Sequence, residues 1–381
     1  MKFPSLLSAK IFLVMTALVV ACNIYTLIPL YSTIAEDLLT DSKQVAIAST
    51  IFTFCYATGL LIFGPLSDWM GRKKMILTGL AFSSLSTIAV GWADSLLSLY
   101  IWRGIQGVTL ATFAPVAFTY SYELFLSRQR TFLIALINSA FLVAGAAGQL
   151  TSLLISSFGG WQMVFFLFSF VYFLLYILGT LFLPPTVKKP GSPEPLFYSF
   201  MRIIQKKKLL LCYIIVFTLL FSFVAYFEML ERFYTHSEDE LLLIRATALI
   251  GACLSLFTNK FVERFGELNT LLIGMVIVFF SLAPLFFWMN VTIYTLSSMC
   301  FVSGLSLLLP SVITWIGRTS ADIRAKAMSL YSFILLLGAG TAPLLFHQLS
   351  YFQGLAGLSL LFSLDLVILV YMIKKDKKRE A

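Results

Sequence analysis

The chain has 381 residues, 59% of them hydrophobic and only 12% charged. That charge is about half the share of a water-soluble domain, so a soluble two-domain protein is excluded and lipid must solvate most of the surface. A formal net charge of +9 suits either a nucleic-acid partner or a membrane topology signal, and the positions of the cations decide between them.

Apolar runs near 20 residues long cross a bilayer as helices. Twelve occur, at roughly 10–33, 45–67, 75–93, 96–119, 131–157, 162–183, 209–230, 241–261, 270–288, 293–315, 328–346 and 355–373. The first contains "VVAC" at 19–22, which matches a lipoprotein cleavage box. The apolar run continues through Leu30, longer than a signal-peptide core, so this span reads as a retained helix. Spans two and three are joined by "GPLSDWMGRKK" (64–74), a knot of charge in a charge-poor chain. Span four carries "RGIQG" (103–107), and span five carries "LVAGAAGQ" (142–149). The longest internal connection, 184–208, is proline-rich at its start and basic at its end. It divides the chain into bundles of six helices at 1–183 and 209–381.

Twelve spans put both termini on one side of the membrane. Of the 27 Lys and Arg residues, 23 fall in segments on that side. The positive-inside rule makes it the cytoplasm, so the chain is expected in the inner membrane with both ends cytoplasmic. The basic balance is therefore topology, and no nucleic-acid partner is expected. The five cysteines (Cys22, Cys55, Cys212, Cys253 and Cys300) all lie in apolar runs without a pairing pattern. His236 and His347 are too isolated for a metal site. No GxxxxGK[ST] occurs, so ATP is not a direct energy source. Paired carboxylates at catalytic spacing and nucleophile–base pairs are also missing from the spans. The chain does not read as an enzyme, and no cofactor or metal is expected.

A faded internal repeat supports the two-bundle division. "GPLSDWMG" (64–71) aligns with "NKFVERFG" (259–266) at an offset of 195 residues: acid, two residues, glycine. "RGIQG" in span four corresponds more loosely to "CFVSG" (300–304) in span ten. Parallel six-helix halves suit an architecture in which substrate binds between them.

These motifs carry a resemblance. "GPLSDWMGRKK" closely resembles the loop 2–3 motif of the major facilitator superfamily, with Gly64, Leu66, Asp68, Gly71, Arg72 and Lys73 matching and Trp69 standing where arginine is commonest. "RGIQG" is similar to the R-x-x-Q-G pattern of its proton-coupled antiporters. "LIPLYSTIAEDL" (27–38) is similar to the proline-containing end of helix one in twelve-helix drug exporters. "WIGRTSADIRAKAMSLYSF" (315–333) looks like the entry to helix eleven in the YNFM-type subgroup. The usual Gly-Pro pair of helix five is replaced by Gly145-Ala146, a departure that YNFM-type members share. The resemblance covers the whole chain. It implies an all-α protein of twelve transmembrane helices in two pseudo-symmetric bundles.

The charged residues then take expected roles. Arg72 lies four residues after Asp68, and Glu123 ends span four on the same side. A shared ion pair would tie helices two and four together as a conformational latch of Gly64, Asp68, Gly71, Arg72 and Glu123. Lys73 and Lys74 read as topology markers. Arg103 is the one cation deep in a span, where an unpaired charge costs roughly 3 kcal/mol. With Gln106 on its helix face, it tunes proton release or touches substrate, or else serves as a structural hydrogen-bond hub to neighbouring helices. Glu228 in span seven is a proton-carrier candidate, the alternative being a pair with Arg232. Asp37, beside Glu36, is a coupling candidate or a solvated helix end. Asp365 in span twelve reads as structural. Thr16, Asn23, Thr26, Asn138, Gln149 and Tyr226 are expected to line the cavity.

The expected function is secondary active export of small amphipathic or weakly cationic compounds in exchange for protons by a monomer using alternating access. Sugar or metabolite efflux is the alternative, and a non-transporting sensor or scaffold is the reading from another class.

Overall fold

The computed structural model describes residues 6–185, 201, 203, 205–234, 238–346 and 349–380. His236, His347 and most of the 184–208 connection lie outside the described residues. All regular structure among the described residues is helical.

The first span is α1 (Leu6–Tyr25), a 3-10 turn that starts around Pro29, and α2 (Tyr31–Asp37). The proline lacks an N–H and disfavours helix at the residue before it, which explains the interruption. Span two is α3 (Ser42–Met70) and span three α4 (Arg72–Gly91), with only Gly71 between them. Span four is broken. It consists of α5 (Leu96–Leu110) and α6 (Ala114–Leu124), parted just before Pro115. Spans five and six share α7 (Ser127–Phe182), whose backbone leaves helical geometry at Gly159 (φ −153°) and Gly160 (φ 74°).

Span seven is α8 (Lys207–Phe233). Span eight is also discontinuous: α9 (Glu238–Ala248), a 3-10 stretch Leu249–Phe257, then α10 (Thr258–Phe265). Spans nine to twelve are α11 (Glu267–Leu282), α12 (Val291–Thr319), α13 (Arg324–Phe346) and α14 (Tyr351–Glu380). Among the described residues nine helical stretches are long and apolar enough to cross a bilayer. The sequence spans missing from those nine are four, five and eight. Four and eight fail as single long helices because they are broken.

Two compact units result. One holds Met1–Phe125, Ala140–Ser199 and Met328–Phe333, the other Leu126–Ser139, Phe200–Ala327 and Ile334–Ala381. In the first, Trp161, Tyr120, Tyr172, Phe52 and Phe118 are fully buried. In the second, every residue of α12 from Gly304 to Gly317 is buried, as expected of a helix apolar on all sides. Phe54, Leu85, Phe170 and Val367 are exposed. Large outward side chains of this kind suit lipid contact.

Candidate functional site

The charge knot folds into a buried ion cluster. Gly71 has φ 90° and ψ 142°, a conformation that only glycine adopts cheaply. It therefore ends α3 and starts α4 with no further linker, which turns Arg72 back against the end of α3. Arg72 is 2% exposed. Its Nη2 donates to the Asp68 carboxylate and its Nη1 to the Ser67 hydroxyl. Its Nε donates to Glu123 of α6 at 3.1 Å, and Nη1 also approaches the Gly64 carbonyl at 3.5 Å. All five expected latch positions thus meet. Ser67 completes the cluster although the motif did not mark it out; its own hydroxyl donates to the Gly64 carbonyl at 2.5 Å. Lys73 donates to the Thr180 carbonyl at 2.8 Å, capping the end of α7 where cations are favoured.

The second unit repeats this joint with exchanged charges. Gly266 (φ 79°) separates α10 from α11. The next residue, Glu267, pairs with Arg318 near the end of α12 at 3.1 Å. Glu267 and Arg318 lie 195 residues after Arg72 and Glu123 respectively.

Arg103 and Gln106 form a second polar centre inside the first unit. Arg103 is fully buried. Its Nη1 donates to Asn23 Oδ1 at 3.0 Å and to Gln106 Oε1 at 2.6 Å. Gln106 Nε2 donates in turn to the Thr87 hydroxyl at 2.8 Å. The guanidinium lies 4.1 Å from the Phe52 ring centroid. Spans one, three and four are therefore joined by one chain of hydrogen bonds.

The other expected residues divide. Asp37 accepts from Trp161 Nε1 at 2.8 Å and Gln162 Nε2 at 2.9 Å, which fastens the end of α2 to α7. Glu228 forms no ion pair with Arg232: that guanidinium donates to the Phe346 carbonyl at 2.9 Å and lies over Phe233. Glu228 Oε2 is buried and has no hydrogen-bond partner among the described residues. The Tyr226 hydroxyl bonds Ser298 at 2.8 Å, and its ring stacks on Phe301. Thr16, Thr26, Asn138 and Gln149 satisfy backbone carbonyls of their own segments. Asp365 is buried and accepts from Thr218. In span five the close approach falls at Gly148, where a Cβ would lie 2.5 Å from the Cys22 carbonyl oxygen; at Gly145 the nearest atom is 3.9 Å away.

Residues 13–343 match the family model described as Major Facilitator Superfamily. The chain belongs to this superfamily. Relatives of this transporter include YybF of Bacillus subtilis, 24% identical over 88% of this chain and 85% of the relative. Multidrug resistance protein MdtM of Escherichia coli is 28% identical over 40% of this chain and 38% of its own length. The inner membrane transport protein YnfM of Escherichia coli is 26% identical over 59% and 55%. Among solved structures, the proton:xylose symporter XylE superposes with TM-score 0.73 at 15% identity, covering 97% of this chain and 95% of that one. The chain is an integral membrane transporter with the superfamily's all-α fold, and not an enzyme.

Proposed function

We propose that this transporter exports small amphipathic compounds in exchange for protons, by alternating access of six-helix bundles 1–183 and 209–381 about the 184–208 connection. One observation carries the reading: buried Arg72 is shared by carboxylates on two different helices. Such a cluster is stable only while the ends of α3 and α6 meet, and both acids hydrate once they part. It therefore locks one conformation and releases another. The partial likeness to MdtM and YnfM supports the export direction and a YNFM-like grouping. Glu228 is the carboxyl we assign to the proton, because it lies in span seven and its buried oxygen has no hydrogen-bond donor among the described residues. The distribution of its cations supports an inner-membrane protein with both termini cytoplasmic, and a monomer completes the proposal.

Purified protein in liposomes loaded with a pH-sensitive dye tests this. Amphipathic compounds should trigger proton movement, and Glu228→Gln should abolish that movement. Response to sugars alone would favour metabolite efflux. Silence across the panel, with flux indifferent to an imposed pH gradient, would contradict proton coupling.

A further inference from the structure

Arg103 is held in place by one nitrogen and leaves the rest of its donor set unused. Nη1 makes both protein hydrogen bonds, to Asn23 and Gln106. Nε and Nη2 are buried and have no hydrogen-bond partner among the described residues. These two atoms lie on the same edge of the guanidinium, and their N–H bonds run parallel. That edge is the fork that takes both oxygens of one carboxylate.

No described acid of the first unit supplies them. Asp68 and Glu123 are engaged by Arg72, and Asp37 is held by Trp161 and Gln162. Glu36, Asp41 and Asp94 are exposed. Asn23 and Gln106 contribute neutral oxygens only, and the Phe52 face adds a cation–π contact without a formal counter-charge. A fully buried guanidinium with two idle donors is expensive in a membrane interior. A ligand that paired with it would recover that cost.

Resting on the export reading above, we propose that the free edge of Arg103 receives the carboxylate of the transported compound, making the cargo an amphipathic monocarboxylate. The low charge content of the spans alone points to neutral or weakly cationic cargo; the fork selects the opposite sign. Arg103 is covered in this conformation, so the carboxylate reaches it in another conformation of the transport cycle, with the bonds to Asn23 and Gln106 kept. Phe52, stacked on Tyr56, then offers aromatic surface to the cargo's apolar body. Asn23, Gln106 and Thr87 act as positioning residues, holding the guanidinium so that its fork stays presented.

The test is equilibrium binding to the full chain in nanodiscs, using phenylbutyrate, its amide, and the trimethylammonium compound with the same phenylbutyl tail. Phenylbutyrate should bind about tenfold more tightly than either analogue, as befits a bidentate charge-assisted contact. Arg103→Lys keeps the charge and loses the fork, so it should weaken that preference, and Arg103→Gln, which removes the charge as well, should erase it. Equal affinities, tightest binding of the cation, or a preference surviving in Arg103→Gln would each overturn the proposal. If the variants fail to assemble, the wild-type ranking decides alone. Proton movement in the liposome assay is a separate readout: it can fail while the carboxylate preference stands, and the preference can fail while antiport stands.

Discussion

The two glycine joints of this transporter share a design and differ in sign. Each has a glycine at positive φ between consecutive helices, and each has an ion pair at 3.1 Å reaching the end of the helix two spans on. In the first unit the residue after the glycine is Arg72 and its partner is Glu123. In the second the order is Glu267 and Arg318. The helix dipole makes this exchange consequential, because it favours an acid at a helix N-terminus by roughly 0.3–1 kcal/mol and opposes a base there. Glu267 is therefore stabilised by its own helix, whereas Arg72, followed by Lys73 and Lys74, begins α4 against the dipole and needs its acids. Burial differs in kind: Arg72 is 2% exposed against 24% and 28% for its acids, whereas Glu267 is 12% exposed and its partner Arg318 61%. The first joint is held by a network around a buried cation that fails if one helix end withdraws, and the second by a single pair whose cation reaches the surface. The same contrast recurs deeper in the membrane. Arg103 meets Asn23 of span one, while Ser298, 195 residues later, meets Tyr226 of span seven. The first unit concentrates its charge where the second uses neutral hydroxyls.

Substitutions can break this asymmetry in order of severity. Asp68→Asn combined with Glu123→Gln strands a buried guanidinium. It should cost about 3–5 kcal/mol, read as a marked fall in unfolding temperature in detergent together with loss of transport. Gly71→Ala and Gly266→Ala sharpen the comparison, since each forces a side chain into a strained backbone at about 1–3 kcal/mol. Nothing lies within 4 Å of a Cβ at position 266, so its penalty is backbone strain alone. Both should lower stability, yet only Gly71→Ala should also slow transport, because it displaces Arg72. Glu267→Gln should be mildest, within about 1 kcal/mol on thermal unfolding.

Much of this was legible in the sequence, for identifiable reasons. The i, i+4 spacing of Asp68 and Arg72 and the placement of Glu123 foretold the cluster, because local geometry and span count dictate both. The break in span four was signalled by Pro115. That in span eight was not: Leu249–Phe257 contains no proline, and its departure from α-helix accompanies tight packing, where a Cβ on Gly251 would lie 2.4 Å from the Met299 carbonyl oxygen. The Glu267–Arg318 pair was missed because a search for acid-x-x-glycine finds Glu263 and overlooks an inverted charge. Asp37 was read as a coupling or solvated group; its bonds to Trp161 and Gln162, more than 120 residues away in sequence, could not be seen locally.

The most direct test compares one acid from each joint in the same preparation. Asp68→Asn and Glu267→Gln are reconstituted separately into liposomes, checked for equal insertion and monodispersity, and assayed for substrate-driven proton movement. If the first joint is the moving latch and the second a standing brace, Asp68→Asn loses most of its transport and Glu267→Gln stays near wild type. Equal rates in the two variants, or normal turnover in Asp68→Asn, would contradict the account.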